Sequence, residues 1–154
     1  GVHFAPDDVK IIEDRIRDLI DAGADLIITS GGMSVDPDDV TRFAIRNLGV
    51  EEMHYGSPVL PGSMFLVAYV GAGFMSAHTG QIPDSELITH NSDLIPILGI
   101  PACGMYADIT VFDLVLPRIL AGEKIGRKEL AELGHGGLCL KCKECRYPVC
   151  PFGK

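Results

Sequence analysis

The chain has 154 residues, enough for one ordinary domain with a sizeable buried core and a short extension. Apolar residues make up 47% and charged residues 22%, close to globular averages, which excludes wholesale disorder. The net charge of −8 argues against a nucleic-acid-binding protein, which usually presents a basic face. Because no apolar run reaches the roughly 18 residues of a membrane span, a membrane is not an expected partner either.

Charge and cysteine divide the chain into two parts. Residues 131–154 carry four basic and two acidic side chains, a net charge of +2, which leaves −10 for residues 1–130. Four of the five cysteines also lie in residues 131–154. This break predicts a body over residues 1–130 and a separate Cys-rich module over residues 131–154.

Apolar periodicity and the positions of glycine and proline predict the elements in chain order. They are a helix over 7–22, a strand over 25–29, a glycine turn over 30–34, a helix over 36–48, strands over 64–70 and 94–100, a helix over 107–120, and a short charged helix or linker over 124–133. In the second helix, Asp36 is expected as the N-cap and Pro37 as the first helical residue. The polar residues 71–93 are long for a structureless connection, so we expect a functional loop or a tolerated insertion there.

This alternation of helices and strands predicts an α/β fold, a three-layer sandwich around a mostly parallel sheet. In such sheets ligands bind at the carboxyl ends of the strands. The segment 30–39 follows the first predicted strand and is therefore the candidate ligand-binding turn.

The chemistry of this turn suits a phosphate. Gly31 and Gly32 allow a sharp turn and a close approach of a ligand to the backbone. Ser30, Ser34 and Thr41 offer hydroxyl donors. The aspartates of the turn would repel a phosphate unless a divalent cation lay between them, so phosphate chemistry here implies Mg²⁺. The alternative is that these aspartates only cap a helix and stabilise its dipole.

Several short motifs carry a resemblance to a known family. Residues 31–35 read Gly-Gly-Met-Ser-Val, residues 39–41 read Asp-Val-Thr, and residues 23–27 read Gly-Ala-Asp-Leu-Ile. Later in the chain come Pro61-Gly62 and the Gly-Ile-Pro of residues 99–101. Over residues 5–122 the chain resembles the molybdopterin-binding domain family of molybdenum cofactor biosynthesis, whose adenylyltransferase and molybdotransferase branches contain related motifs.

The resemblance implies a role for each matching residue. Gly31, Gly32 and Ser34 would cradle the pterin phosphate or a nucleotide, and Asp39 would be the essential carboxylate that acts through Mg²⁺. The opposite wall of the pocket would be shaped by Pro61, Gly62 and Pro101. It also implies a homo-oligomer by analogy, a molybdoenzyme as a possible partner, and molybdopterin as the cofactor.

The chain departs from the family pattern in three places. Leu60 and Ser63 stand where the molybdotransferase motif has lysines, which puts transferase activity in doubt. Ala102-Cys103-Gly104 replaces a Gly-Asn-Pro or Gly-Ser-Pro segment. The strand, helix and strand that normally open the domain have no counterpart before residue 7. Together with Gly1 in place of Met, this predicts an N-terminally truncated chain, and the absence of a leader predicts a cytoplasmic one.

Three functions follow as alternatives. The first is binding of molybdopterin, or its adenylylated form, in cofactor biosynthesis or insertion, with adenylylation or molybdate exchange at the turn. The second is a non-catalytic carrier of the cofactor, which the missing lysines favour. The third is hydrolysis of a pyridine nucleotide or ADP-ribose, because residues 38–41 match the Asp-Asp-x-Thr of the related competence/damage-inducible proteins.

The tail contains a dense cysteine cluster. Cys139, Cys142, Cys145 and Cys150 follow the pattern Cys-x2-Cys-x2-Cys-x4-Cys-Pro. Ferredoxin clusters use a similar spacing with one residue fewer before the last Cys, whereas zinc sites usually separate two pairs by a dozen residues or more. We therefore expect a metal site, an iron–sulfur cluster or zinc, with a disulfide framework or free thiols as the remaining alternatives.

Overall fold

The computed structural model describes residues 1–71, 94–134 and 143–144. The helices are α1 (Val9–Asp21), α2 (Thr41–Asn47), α3 (Val111–Leu120) and α4 (Arg127–Leu133), with a short 3-10 helix over Ala102–Met105. The strands are β1 (Ile27–Thr29), β2 (Glu52–Tyr55), β3 (Leu66–Gly71) and β4 (Leu94–Gly99). None of the helices in these ranges combines the length and apolar character of a membrane span.

The four strands form one sheet in the order β1-β4-β3-β2. β1 pairs with β4 in parallel, with Ile27 opposite Ile97, whereas β3 is antiparallel to both β4 and β2. The predicted α/β class is confirmed, but parallel pairing is confined to β1 and β4 in the described part of the sheet. The antiparallel pairing of β2 with β3 follows from the short connection over residues 56–65, because a parallel crossover needs about a dozen residues or more.

Helices cover both faces of the sheet, which confirms the three-layer arrangement. On one face α1 and α2 pack against the side chains of Leu66, Ala68 and Val70 of β3. On the other face α3 and α4 pack against Val67 and Tyr69 of the same strand. This alternation follows from the period of two along a strand, and it gives the domain two apolar clusters separated by the sheet.

The caps of α1 and α3 show how the local sequence sets where these helices begin. Asp8 is the N-cap of α1 and its carboxylate accepts a hydrogen bond from the Ile11 amide at 2.9 Å. Thr110 begins α3 in a capping box, in which its hydroxyl accepts from Phe112 and the Asp113 carboxylate accepts from the Thr110 amide. Such caps satisfy amides that have no partner within the helix.

The strand register collects several chain segments at one edge of the sheet. Thr29 at the end of β1 lies opposite Gly99 at the end of β4, and Gly99 lies opposite Leu66 at the start of β3. Tyr55 at the end of β2 lies opposite Leu66. The segments that follow β1, β2 and β4 and the segment that precedes β3 therefore meet at this edge, which we call the carboxyl edge.

Candidate functional site

The glycine turn leaves β1 at the carboxyl edge with two consecutive residues in the left-handed region. Gly31 has φ of +91° and Gly32 has φ of +64°. A Cβ atom on Gly32 would overlap the Thr41 hydroxyl and lie 2.9 Å from the Thr41 Cβ. Thr41 is only 6% exposed, so this contact fixes the turn against the first residue of α2.

Asp39 closes the same turn. Its Oδ2 accepts a hydrogen bond from the Ser34 amide at 2.5 Å, so the carboxylate closes a loop of six residues from Ser34 to Asp39. The expectation that Asp36 caps a helix from residue 36 is wrong, because α2 begins at Thr41 and its N-cap, Val40, makes no side-chain capping bond. The aspartates of the turn therefore precede the helix, and Asp39 binds the loop itself.

Tyr55 anchors the turn from the neighbouring strand. Its hydroxyl lies 3.1 Å from the carbonyl oxygens of both Met33 and Ser34 and donates to them. Met33 is 1% exposed, and its sulfur would lie 2.7 Å from a Cβ on Gly99, so its side chain closes over the end of β4. Sequence reasoning missed Tyr55, although the alternation of polar and apolar residues over 52–55 is a strand signal that could have placed it.

A groove of about 330 Å³ runs along the open side of β1 beside this turn. Its polar end contains three predicted site residues, Ser30, Gly31 and Thr41. The apolar part of the lining comes from α1 and β1, and the remaining lining residues include two that sequence reasoning did not single out, His3 and Arg15. The groove therefore joins an apolar surface to a polar turn, the combination that small-molecule sites usually present.

The other predicted wall residues lie at the carboxyl edge but outside that groove lining. Pro101 is buried and begins the short 3-10 helix two residues after β4. Gly62 precedes β3 with φ of +131°, and a Cβ there would lie 2.5 Å from the Val111 Cγ1. The Pro61 carbonyl accepts from the Val111 amide at 3.0 Å. Pro61 and Gly62 thus pack this edge of the sheet against the start of α3. These contacts give both residues a structural role.

The four tail cysteines, Cys139, Cys142, Cys145 and Cys150, lie outside the described residues. Cys103, the described cysteine, is a half-buried free thiol in the 3-10 helix. Within residues 1–71, 94–134 and 143–144, no three His, Cys, Asp or Glu side chains are arranged to hold a metal ion. Mg²⁺ needs less, since it is usually held by one or two carboxylates together with phosphate oxygens and water. Asp39 suits that role because its Oδ1 makes no hydrogen bond within the described ranges.

Comparison with known proteins gives the family of the chain. The chain is 29% identical over 150 residues to a CinA-like protein of Thermosipho melanesiensis, in an alignment that covers 87% of this chain and 36% of that protein. The chain thus spans about a third of the length of that curated relative. A model of the probable molybdopterin binding domain matches residues 1–121. The chain therefore belongs to the probable molybdopterin binding domain family of molybdenum cofactor biosynthesis proteins.

Proposed function

We propose that the chain binds molybdopterin, or its adenylylated form, through its phosphate at the turn over residues 30–39, and that it acts in molybdenum cofactor biosynthesis or insertion. One observation carries the proposal. A turn that contains two left-handed glycines is held at the carboxyl edge by Thr41, Asp39 and Tyr55, beside a groove with a polar end. A fixed loop of this kind presents backbone amides at no further entropic cost when the ligand binds.

Asp39 is the proposed magnesium ligand. Its Oδ2 is committed to the Ser34 amide, and Oδ1 is left for a cation. A bound Mg²⁺ would supply charge neutralisation between that carboxylate and a ligand phosphate. The contribution of the chain itself is to orient the carboxylate, since the Ser34 amide restricts how it can rotate.

Calorimetric titration of molybdopterin, with and without Mg²⁺, tests this proposal with three variants. Asp39→Asn keeps an oxygen acceptor for the Ser34 amide but removes the charge, so it should abolish only the gain in affinity that Mg²⁺ provides. Asp39→Ala removes the acceptor as well and should also weaken binding without Mg²⁺. Asp36→Asn, a matched change at an exposed carboxylate of the same turn, should leave both affinities unchanged. An Asp39→Ala protein with wild-type affinity and turnover would refute the proposal.

A second candidate function is hydrolysis of a pyridine nucleotide or ADP-ribose. The similarity to a CinA-like protein favours it, as does the Asp-Asp-Val-Thr sequence at residues 38–41. Both functions place a phosphate at the same turn, so binding alone does not separate them. Turnover of ADP-ribose or nicotinamide mononucleotide, followed by chromatography of the products, would identify the hydrolase.

A carrier without catalysis is the third possibility that the chain supports. Leu60 is half exposed and Ser63 follows the Pro61-Gly62 pair, so neither flank of that pair provides the cation expected of a molybdotransferase. A carrier would bind the cofactor tightly and turn over neither molybdopterin nor nucleotide. Its proposed recipient is a molybdoenzyme, and transfer of bound cofactor to such an apoenzyme is the direct assay.

A further inference from the structure

Arg42 is held in place by two aromatic rings next to the proposed site. Its guanidinium carbon lies 4.8 Å from the ring centre of Phe43 and 5.3 Å from that of Tyr55. Both distances are within the range of a cation–π contact. Tyr55 is the residue whose hydroxyl binds the turn carbonyls, and Thr41, directly before Arg42, is the residue that packs against Gly32.

Among the described residues, the donors of this guanidinium have no hydrogen-bond partner. The Arg42 Nε is buried and has no hydrogen-bond partner in the part of the chain that the structure describes. No ion pair within those ranges involves Arg42 either, although Asp36, Asp38 and Asp39 precede it closely in the sequence.

An arginine in this state is suited to an anion. Its five N–H donors need acceptors, and it cannot lose its charge at any physiological pH. Burial of Nε has already removed water from this part of the cation, and fewer water molecules around the cation strengthen its attraction for an oxyanion at the remaining amino groups. From Ser30 to Ser63 the sequence offers only two lysine or arginine side chains, Arg42 and the exposed Arg46.

We propose that Arg42 is the residue that recognises the phosphate charge of the ligand, donating hydrogen bonds from its terminal amino groups to the phosphate oxygens while the glycine turn holds the rest. This inference rests on the proposed function, since it assigns a specificity-determining residue to the same site. It implies that the site prefers a phosphorylated ligand over the same ligand without phosphate. The planar guanidinium can bind two phosphate oxygens at once, which a lysine ammonium cannot match.

The test compares ligand pairs that differ only in phosphate. The probes are AMP against adenosine, and 6-hydroxymethylpterin diphosphate against 6-hydroxymethylpterin, titrated calorimetrically into the full chain. We expect wild type to prefer the phosphorylated member of at least one pair by about 10- to 100-fold, the size of a charge-assisted hydrogen bond. Arg42→Gln should remove this preference and leave the affinity for the unphosphorylated member unchanged. Arg46→Gln, one turn further along α2, should behave as wild type.

Each other outcome overturns the inference. Arg42→Gln with the wild-type preference would show that another group recognises the phosphate, while the proposed function would stand. Equal losses for both members of a pair would show that Arg42 only supports the fold. If wild type shows no phosphate preference, both the inference and the proposed function fail. Arg42→Lys, which keeps the charge, covers the case in which the glutamine variant does not fold, and it should retain an intermediate preference.

Discussion

The Tyr69 hydroxyl exchanges two hydrogen bonds with the backbone of Ile125. It accepts from the Ile125 amide at 2.7 Å and donates to the Ile125 carbonyl at 3.2 Å. Tyr69 lies on β3 in the middle of the sheet, and Ile125 lies just before α4; both residues are buried. One side chain thus satisfies the polar backbone of the segment that leads into α4, and burial raises the pKa of this tyrosine, so the hydroxyl remains a donor.

Removing this hydroxyl should destabilise the domain. Tyr69→Phe leaves a buried amide and a buried carbonyl of Ile125 without partners, and we expect the free energy of unfolding to fall by about 2 kcal/mol or more. Urea denaturation followed by circular dichroism measures the loss. Tyr106→Phe is the matched control, because Tyr106 is 88% exposed and should change stability by less than about 0.5 kcal/mol. Equal effects of the two changes would contradict the role assigned to Tyr69.

Glu52 should make stability depend on pH in the acid range. A hydrogen bond with His54 and then one with Lys124 lower the pKa of Glu52 below its ordinary value of 4.5. The unfolded chain therefore binds a proton at a higher pH than the folded chain does. The resulting stabilisation is present above about pH 5 and is lost as the pH falls through the lowered pKa.

Glu52→Gln measures this contribution. The variant should be less stable than wild type at pH 7, and the difference should shrink as the pH falls through the lowered pKa, because protonation then removes the charge of Glu52 in wild type as well. Melting temperatures at half-unit pH intervals give the comparison. Glu132→Gln is the control, since the Glu132 carboxylate lies 3.9 Å from Lys128 in an exposed pair and should leave the pH profile unchanged. A difference between Glu52→Gln and wild type that stays constant from pH 3 to 7 would exclude this role.

The two glycines of the turn should respond differently to alanine. Both have positive φ, so either substitution adds backbone strain of about 1–2 kcal/mol. Nothing lies within 4 Å of a Cβ on Gly31, whereas a Cβ on Gly32 would overlap Thr41. We therefore expect Gly31→Ala to lose only the stability that this strain costs, and Gly32→Ala to lose a further 1–3 kcal/mol, roughly the cost of overpacking. If urea denaturation gave the same loss of stability for both variants, the Thr41 contact would not be what fixes the turn.

Local sequence predicted the elements whose signal is local. The apolar stripe of α1 and the apolar runs of β3 and β4 placed these elements to within a few residues. β2 was missed because it has four residues and because Glu52 and His54, on its polar side, make its apolar content low. The start of α2 was predicted too early: Asp36 and Pro37 fit a helix start, but the Asp39 carboxylate bonds the Ser34 amide instead and holds the chain in a loop.

The site shows the same division between local and distant information. The sequence placed the glycine turn directly after β1. The fold class then made this end of the strand the expected place for a ligand. The contacts of Tyr55 with Met33 and Ser34 span more than 20 residues and depend on the antiparallel pairing of β2 with β3, which no local pattern specifies. The stacking of Arg42 on Tyr55 depends on the same pairing.

The cysteine tail gives a prediction that is independent of the turn. Replacing Cys139 and Cys142 by serine removes two of the four proposed thiolate ligands, so bound iron or zinc should fall to background in elemental analysis of anaerobically purified protein. Cys103→Ser changes a thiol of the body and should leave the metal content unchanged.

Brown colour with acid-labile sulfide in wild type would identify an iron–sulfur cluster, and colourless protein with one zinc would identify a zinc site. Metal retained by the double serine variant would exclude the tail as the metal site. Molybdopterin affinity should be the same in all of these variants, because the proposed phosphate contacts come from residues 30–42.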